Sequence, residues 1–308
     1  MSIFVIIVLA VVQGAAELLP ISSSAHVILV ELIFGLDPTS YQMTFLLVML
    51  HTGTMFAVLV YFWRSWAKLL SRENPERGNF VKTVIYATVV TGIIGLIALI
   101  VIPKVFLRGV PNARVEDLFG NVWIIASGLA AAGILTVIAG FTKGAARETV
   151  GEAQSRTPGA PQAAAGAETA ASRMATGTSI LIGVIQGLAL PFRGFSRSGS
   201  TISAGLLSGI KRRHAEVFSF TLALILTLPL VAWEALQLRH IRPDSAGGSA
   251  HYALLAGLLG MVFSFGAGLA AIRWLSAWLE KGRWGFFGIY CIALSALLYA
   301  LAGSGILR

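Results

Sequence analysis

Six stretches of this chain run for about twenty residues each with almost no charge: roughly 43–62, 83–102, 121–141, 216–236, 253–273 and 284–303. A helix of about 20 residues covers the hydrocarbon core of a bilayer, about 30 Å thick, and runs this apolar would leave a soluble domain without a polar surface. The pattern therefore predicts an all-α integral membrane protein. Composition agrees, with 56% hydrophobic and only 12% charged residues and a mean hydropathy of +0.80. A net charge of +9 would suggest nucleic acid in a soluble protein. Here the basic residues fall between the apolar runs, where Lys and Arg fix topology, so no nucleic-acid partner is expected. A single cysteine, Cys291, excludes an internal disulfide. The opening MSIFVIIVLAVV has the apolar core of a secretion signal but no basic leader, and is expected to be retained.

Two further apolar tracts are short and broken: 2–19 followed by 24–36, and 178–190 followed by 199–210. The first break is QGAAELLPISSSAH, residues 13–26, and the second is PFRGFSRSGST, residues 191–201. Non-helical backbone at membrane depth survives only where protein or a watery cavity shields it, so each pair is expected to be a re-entrant hairpin. The breaks also resemble each other. VQGAAELLPISSSAH and IQGLALPFRGFSRSGST both place an aliphatic residue before Gln-Gly, pass through Leu and Pro, and end in a Ser-rich helix start. Three long runs follow each break. An odd number of spans inserts the second copy upside down, which is the inverted-topology repeat of transporters, with the site where the two breaks meet. The expected division is repeat 1 over 1–142, with its hairpin at about 2–36; a flexible cytoplasmic linker over 143–177, rich in Ala, Gly, Pro and Thr; and repeat 2 over 178–308, with its hairpin at about 178–210.

Charge counting orients the plan. If both hairpins return to their own side, one face receives fifteen basic residues, including Arg64, Lys68, Arg77, Lys143, Arg147, Arg156, Arg173, Lys211, Arg212 and Arg213. The other receives six: Lys104, Arg108, Arg114, Arg239, Arg242 and Arg308. The positive-inside rule makes the first face cytoplasmic and puts both termini outside. Arg193 and Arg197 remain inside the second hairpin.

Each break places serines at the start of a helix: Ser22, Ser23 and Ser24 in the first, and Ser196, Ser198 and Ser200 in the second. Such serines cap free N–H groups at a helix end that carries partial positive charge. Gly194 and Gly199 permit close backbone approach. Two helix N-termini facing one another with Arg197 between them form a cradle for phosphate oxygens. Ser22 and Ser23 stand four and three residues before His26, so a hydroxyl and an imidazole can share the first turn. That supplies either a serine with a neighbouring base or a histidine that itself attacks phosphorus. Glu17 then serves as metal ligand, general base or partner of Arg197. His51, which opens LHTGTMFAVLVYFW, reads as a hydrogen-bonded packing residue.

Taken together, the first break and SRSGST resemble the two signature motifs of the bacterial undecaprenyl-diphosphate phosphatases, the bacitracin-resistance family, and the resemblance extends over nearly the whole chain. It implies hydrolysis of undecaprenyl diphosphate to the monophosphate and orthophosphate, recycling a lipid carrier of cell-wall synthesis. It also implies a bacterial plasma-membrane location with the site opening to the outer side. Residue by residue, the family's acid falls on Glu17, its serine on Ser23 and its histidine on His26, while Ser196, Arg197 and Thr201 fall on phosphate-binding positions. Gln13, Ser22, Ser24, Arg193, Ser198 and Gly199 complete the expected substrate contacts. The resemblance leaves room for a divalent cation, Mg or Ca, on Glu17, for no organic cofactor, and for a homodimer. Two features depart from the pattern. Gln13 stands where some members carry a second glutamate, which weakens any mechanism with two carboxylates on one metal. PFRGFSRSG is one residue longer than the usual Pro-Gly approach to SRSG and has Arg193 in place of proline. A transporter or flippase of an anionic polyprenyl lipid is the alternative, since the repeat plan is transporter architecture.

Overall fold

The computed structural model describes residues 1–37, 40–106, 120–141, 174–237 and 250–305. The expected linker over 143–177 lies outside them apart from its last four residues, as do Arg108, Arg114, Arg239, Arg242 and Arg308. The described residues form ten helices: α1 (Ile3–Leu18), α2 (Ser23–Phe34), α3 (Tyr41–Leu69), α4 (Arg77–Phe106), α5 (Val122–Phe141), α6 (Thr176–Ala189), α7 (Arg197–Leu207), α8 (Arg212–Gln237), α9 (Ala250–Glu280) and α10 (Trp284–Gly303).

Helices α3, α4, α5, α8, α9 and α10 are long and apolar enough to cross a membrane. They contain the six apolar runs read from sequence. α5 and α10 match the expected limits closely, whereas α3, α4, α8 and α9 overrun them. Hydropathy marks only the part of a helix that hydrocarbon surrounds. Beyond it, residues such as Trp63, Arg64 and Lys68 on α3 keep the helix going while their polar ends reach the headgroup layer. By contrast α1, α2, α6 and α7 have 16, 12, 14 and 11 residues. At 1.5 Å per residue none reaches about 30 Å.

The short helices are held by the long ones. α1 lies along α9 and α6 lies along α4, while α3 also packs on α9 and α5 packs on α10. Lipid tails are as apolar as leucine, so close approach at small residues, not hydrophobicity, joins such helices. A Cβ built on Gly14 of α1 would fall 2.5 Å from the Ser264 carbonyl oxygen of α9, and one on Gly288 of α10 would fall 2.5 Å from that of Gly133 on α5.

α7 is the least apolar of the short helices and the most enclosed. Every residue from Ser198 to Leu206 is buried, against α5, α6 and α8. Its hydroxyls are satisfied locally: Ser200 and Thr201 donate to the Arg197 carbonyl at 3.1 and 2.8 Å, and Ser203 receives the Trp284 indole N–H at 2.9 Å. Phe62, Phe218, Phe220 and Ile202 build the apolar core around it. Its N-terminus is therefore fixed from several sides, which is what a precise anion site requires.

Candidate active site

The break between α1 and α2 is made by one strained residue. Ser22 has φ 68° and ψ 98°, the only positive φ at a non-glycine among the described residues. That region costs a non-glycine about 1–3 kcal/mol and persists only where surroundings hold it. Here His26 holds it, its Nδ1–H donating to the Ser22 carbonyl at 2.7 Å, while the Ser22 and Ser24 hydroxyls meet at 3.2 Å. The Cys291 thiol of α10 supports the preceding Pro20 carbonyl at 3.4 Å. The reversal turns Ser23 back onto the helix just ended, so that its hydroxyl donates to Glu17 Oε2 at 2.6 Å. The Ser22 side chain does not cap α2. The expected cap is absent there, which leaves the first turn of α2 without that acceptor.

The second break closes onto the first. Gly194, at φ 96°, rests on the Ile125 backbone of α5, and Gly128 one turn further lets the chain pass. Ser196 caps α7 as expected, accepting from the Gly199 N–H at 3.2 Å. Arg197 then reaches across the two halves, donating to Glu17 Oε1 at 2.8 Å and to the Thr227 hydroxyl at 3.2 Å. The Ser198 hydroxyl donates to the Leu19 carbonyl at 3.4 Å. Glu17 thus receives Arg197 on one oxygen and Ser23 on the other, where Gln13 adds a third donor at 3.2 Å.

A cavity of about 440 Å³ opens on this junction. From the expected set it gathers Glu17, Ser22, Ser23, Ser24, Arg193, Ser196, Arg197 and Ser198. Apolar walls come from Leu190, Phe192, Phe195 and Leu230; Leu190 and Leu230 are themselves exposed on the outside of the bundle. Four expected residues lie behind it. Gln13, only 1% exposed, steadies Glu17 from below. Gly199 packs against Pro20, and Thr201 is tied to the Arg197 carbonyl and the Ser219 hydroxyl, so both shape the start of α7. His26 turns away from the cavity: its Nε2 meets the Tyr290 hydroxyl of α10 at 2.7 Å, and the two rings stack. The pairing of His26 with a serine hydroxyl, expected from their spacing, is replaced by a bond to the Ser22 backbone.

The structure adds two residues. Tyr290 holds His26, and nothing in an apolar run announces such a partner. His51 lines the cavity, with Nε2 3.9 Å from Glu17 Oε2. An ionisable residue inside a span is a site candidate by default, and that signal marks His51, where spacing alone suggests packing.

With the geometry in place, comparison with known proteins is specific. The family model described as bacitracin resistance protein BacA matches residues 6–297. A protein named undecaprenyl-diphosphatase 2 from Acinetobacter baylyi is 46% identical over 306 residues, covering 98% of this chain and 99% of that protein. Another of that name from Burkholderia ambifaria is 31% identical, covering 95% of this chain and 94% of its own length. An undecaprenyl-diphosphatase from Rhodopirellula baltica is 27% identical over 96% of each chain. Two serine-started helices meeting at Glu17 and Arg197, and a match from residue 6 to residue 297, lead to one conclusion: the chain belongs to the bacitracin resistance protein BacA family.

Proposed function

We propose that this chain is a membrane phosphatase that hydrolyses undecaprenyl diphosphate to undecaprenyl phosphate and orthophosphate. The observation that carries the reading is the set Ser23–Glu17–Arg197, a hydroxyl, a base and a cation joined at 2.6 and 2.8 Å at the meeting of two helix N-termini. Phosphoryl transfer asks little covalent chemistry of a protein beyond positioning and charge stabilisation. Arg197 and the open first turn of α2 bind the terminal phosphate. Ser23 gives its proton to Glu17 Oε2 and attacks phosphorus, and the lipid monophosphate departs. Leu190 and Leu230, apolar and exposed at the rim, give the prenyl chain a path to the bilayer. Water then releases orthophosphate from Ser23. His26 acts through the backbone, by holding the Ser22 turn that aims Ser23.

A divalent cation, Mg or Ca, finds little in the protein alone. Both Glu17 oxygens already have donors, and no group of three His, Cys, Asp or Glu able to hold a metal occurs among the described residues. The described residues therefore offer Glu17 as protein ligand, and a divalent cation would be held there jointly with the substrate's phosphate oxygens, whose charge it would neutralise.

The same reading takes the chain as two inverted repeats, 1–142 and 178–308, each a re-entrant hairpin and three spans. The crosswise packing of α1 on α9 and α6 on α4 supports it, because each hairpin's first helix rests on the second span of the other half. With the positive face inward, the protein sits in the plasma membrane and its cavity opens outward. That plan also favours a lipid transporter as a second reading. Purified protein given a polyprenyl diphosphate decides between them. The phosphatase releases orthophosphate and can be trapped with phosphate on Ser23, whereas a transporter releases none.

A further inference from the structure

One step of this chemistry lacks a base. Once Glu17 has taken the proton of Ser23, it is the acid that must return that proton to the same oxygen, 2.6 Å away, when the phosphoserine breaks down. The attacking water then needs another acceptor. Among the described residues lining the cavity, the remaining titratable side chains are His51, Arg193 and Arg197, and arginine does not give up its proton in proteins.

His51 is built for the task. Its Nδ1 lies 2.8 Å from the Leu47 carbonyl one turn earlier on α3, and a carbonyl only accepts, so Nδ1 carries the ring proton. Nε2 is thereby left to accept. It faces the cavity 3.9 Å from Glu17 Oε2, too far for a direct hydrogen bond and close enough for one water oxygen to reach both groups. The hydrogen bond to the α3 backbone holds the ring in this direction.

We infer that His51 is the general base of the second half-reaction, activating the water that hydrolyses phosphorylated Ser23. The inference rests on Ser23 as nucleophile. In the first half, the Ser23 Oγ–P bond forms, the bridging P–O bond breaks with its electron pair leaving on the lipid monophosphate, and the serine proton goes to Glu17. In the second half, the water oxygen bonds to phosphorus and its proton goes to His51 Nε2. The P–Oγ bond breaks, Oγ recovers its proton from Glu17, and His51 then gives up its proton to solvent.

The test is rapid-quench kinetics on full-length His51→Gln with a polyprenyl diphosphate, following lipid monophosphate and orthophosphate separately. The expected result is a burst of about one lipid monophosphate per protein at near the wild-type rate, with orthophosphate release slowed roughly 10²- to 10⁴-fold, the usual worth of a general base. Phosphate should accumulate on Ser23. Added imidazole should restore orthophosphate release in His51→Ala, whose cavity gains the space of the missing ring. Equal slowing of both products, or no slowing of either, overturns the assignment of His51 and leaves Ser23 in place. A Ser23→Ala variant with wild-type turnover removes the nucleophile, and this inference with it.

Discussion

Glu17→Gln keeps the shape of the central side chain and removes its charge, which separates structure from chemistry. In the native site Oε1 accepts from Arg197 at 2.8 Å and Oε2 accepts from Ser23 at 2.6 Å and Gln13 at 3.2 Å. An amide offers one acceptor oxygen and one NH₂. If the oxygen stays on Arg197, the NH₂ opposes that of Gln13, which is buried with 1% exposure and has no room to turn to solvent. If the amide flips, its NH₂ meets the guanidinium. Either orientation strands a buried donor, at about 1–3 kcal/mol of stability. The Glu17 and Arg197 side chains are 13% and 23% exposed, so the pair is screened little by solvent. Catalysis suffers more. Ser23 loses its proton acceptor, a loss of about 10²- to 10⁴-fold in kcat, or about 2.7–5.4 kcal/mol at 1.36 kcal/mol per decade. Orthophosphate release measures the second quantity, and the unfolding midpoint in detergent measures the first. Because Glu17 and Ser23 act as one unit, the double variant Glu17→Gln/Ser23→Ala should be no slower than Ser23→Ala alone. A Glu17→Gln enzyme with kcat within about threefold of wild type, or a double variant whose losses simply multiply, would refute the assignment of Glu17 as the base.

Gly288→Ala places a methyl group 2.5 Å from the Gly133 carbonyl oxygen at the α5–α10 crossing, and should cost about 1–3 kcal/mol by overpacking. Gly92→Ala on the exposed side of α4, where no atom lies within 4 Å, should leave the unfolding midpoint unchanged or raise it. Single cysteines at Ser71 and Ser304 should react with a membrane-impermeant maleimide from the cytoplasmic and the outer side respectively. The opposite pattern would reverse the proposed orientation.

The six spans and the two interruptions are legible without coordinates because the bilayer imposes its demands residue by residue. A run of about 20 apolar residues either spans or it does not, and a Pro-Ser or Gly-Ser break within a shorter one must be shielded. The same local logic found Ser196 as the cap of α7 and brought Glu17, Ser23 and Arg197 onto one list, since polar residues at membrane depth are rare enough to be conspicuous. It also placed α10 at Trp284–Gly303, where hydrophobic run and helix coincide.

What the sequence left open turns on direction. Ser23 meets Glu17 only because Ser22 adopts a left-handed backbone, and no propensity predicts that for serine. His26 and Ser23 share a turn by spacing, yet the ring turns to Tyr290, 264 residues away, through the docking of α10 against α2. His51 sits in a run whose faces are all apolar, and in a membrane the lipid side of a helix is as hydrophobic as its packed side. Amphipathicity, which tells inside from outside in a soluble helix, is therefore silent there. Composition and spacing decided which residues lie at membrane depth; the crossing of α1, α3 and α7 decided which of them touch, because that depends on helix rotation about its axis, and hydrocarbon exerts no torque on a helix that is apolar all round.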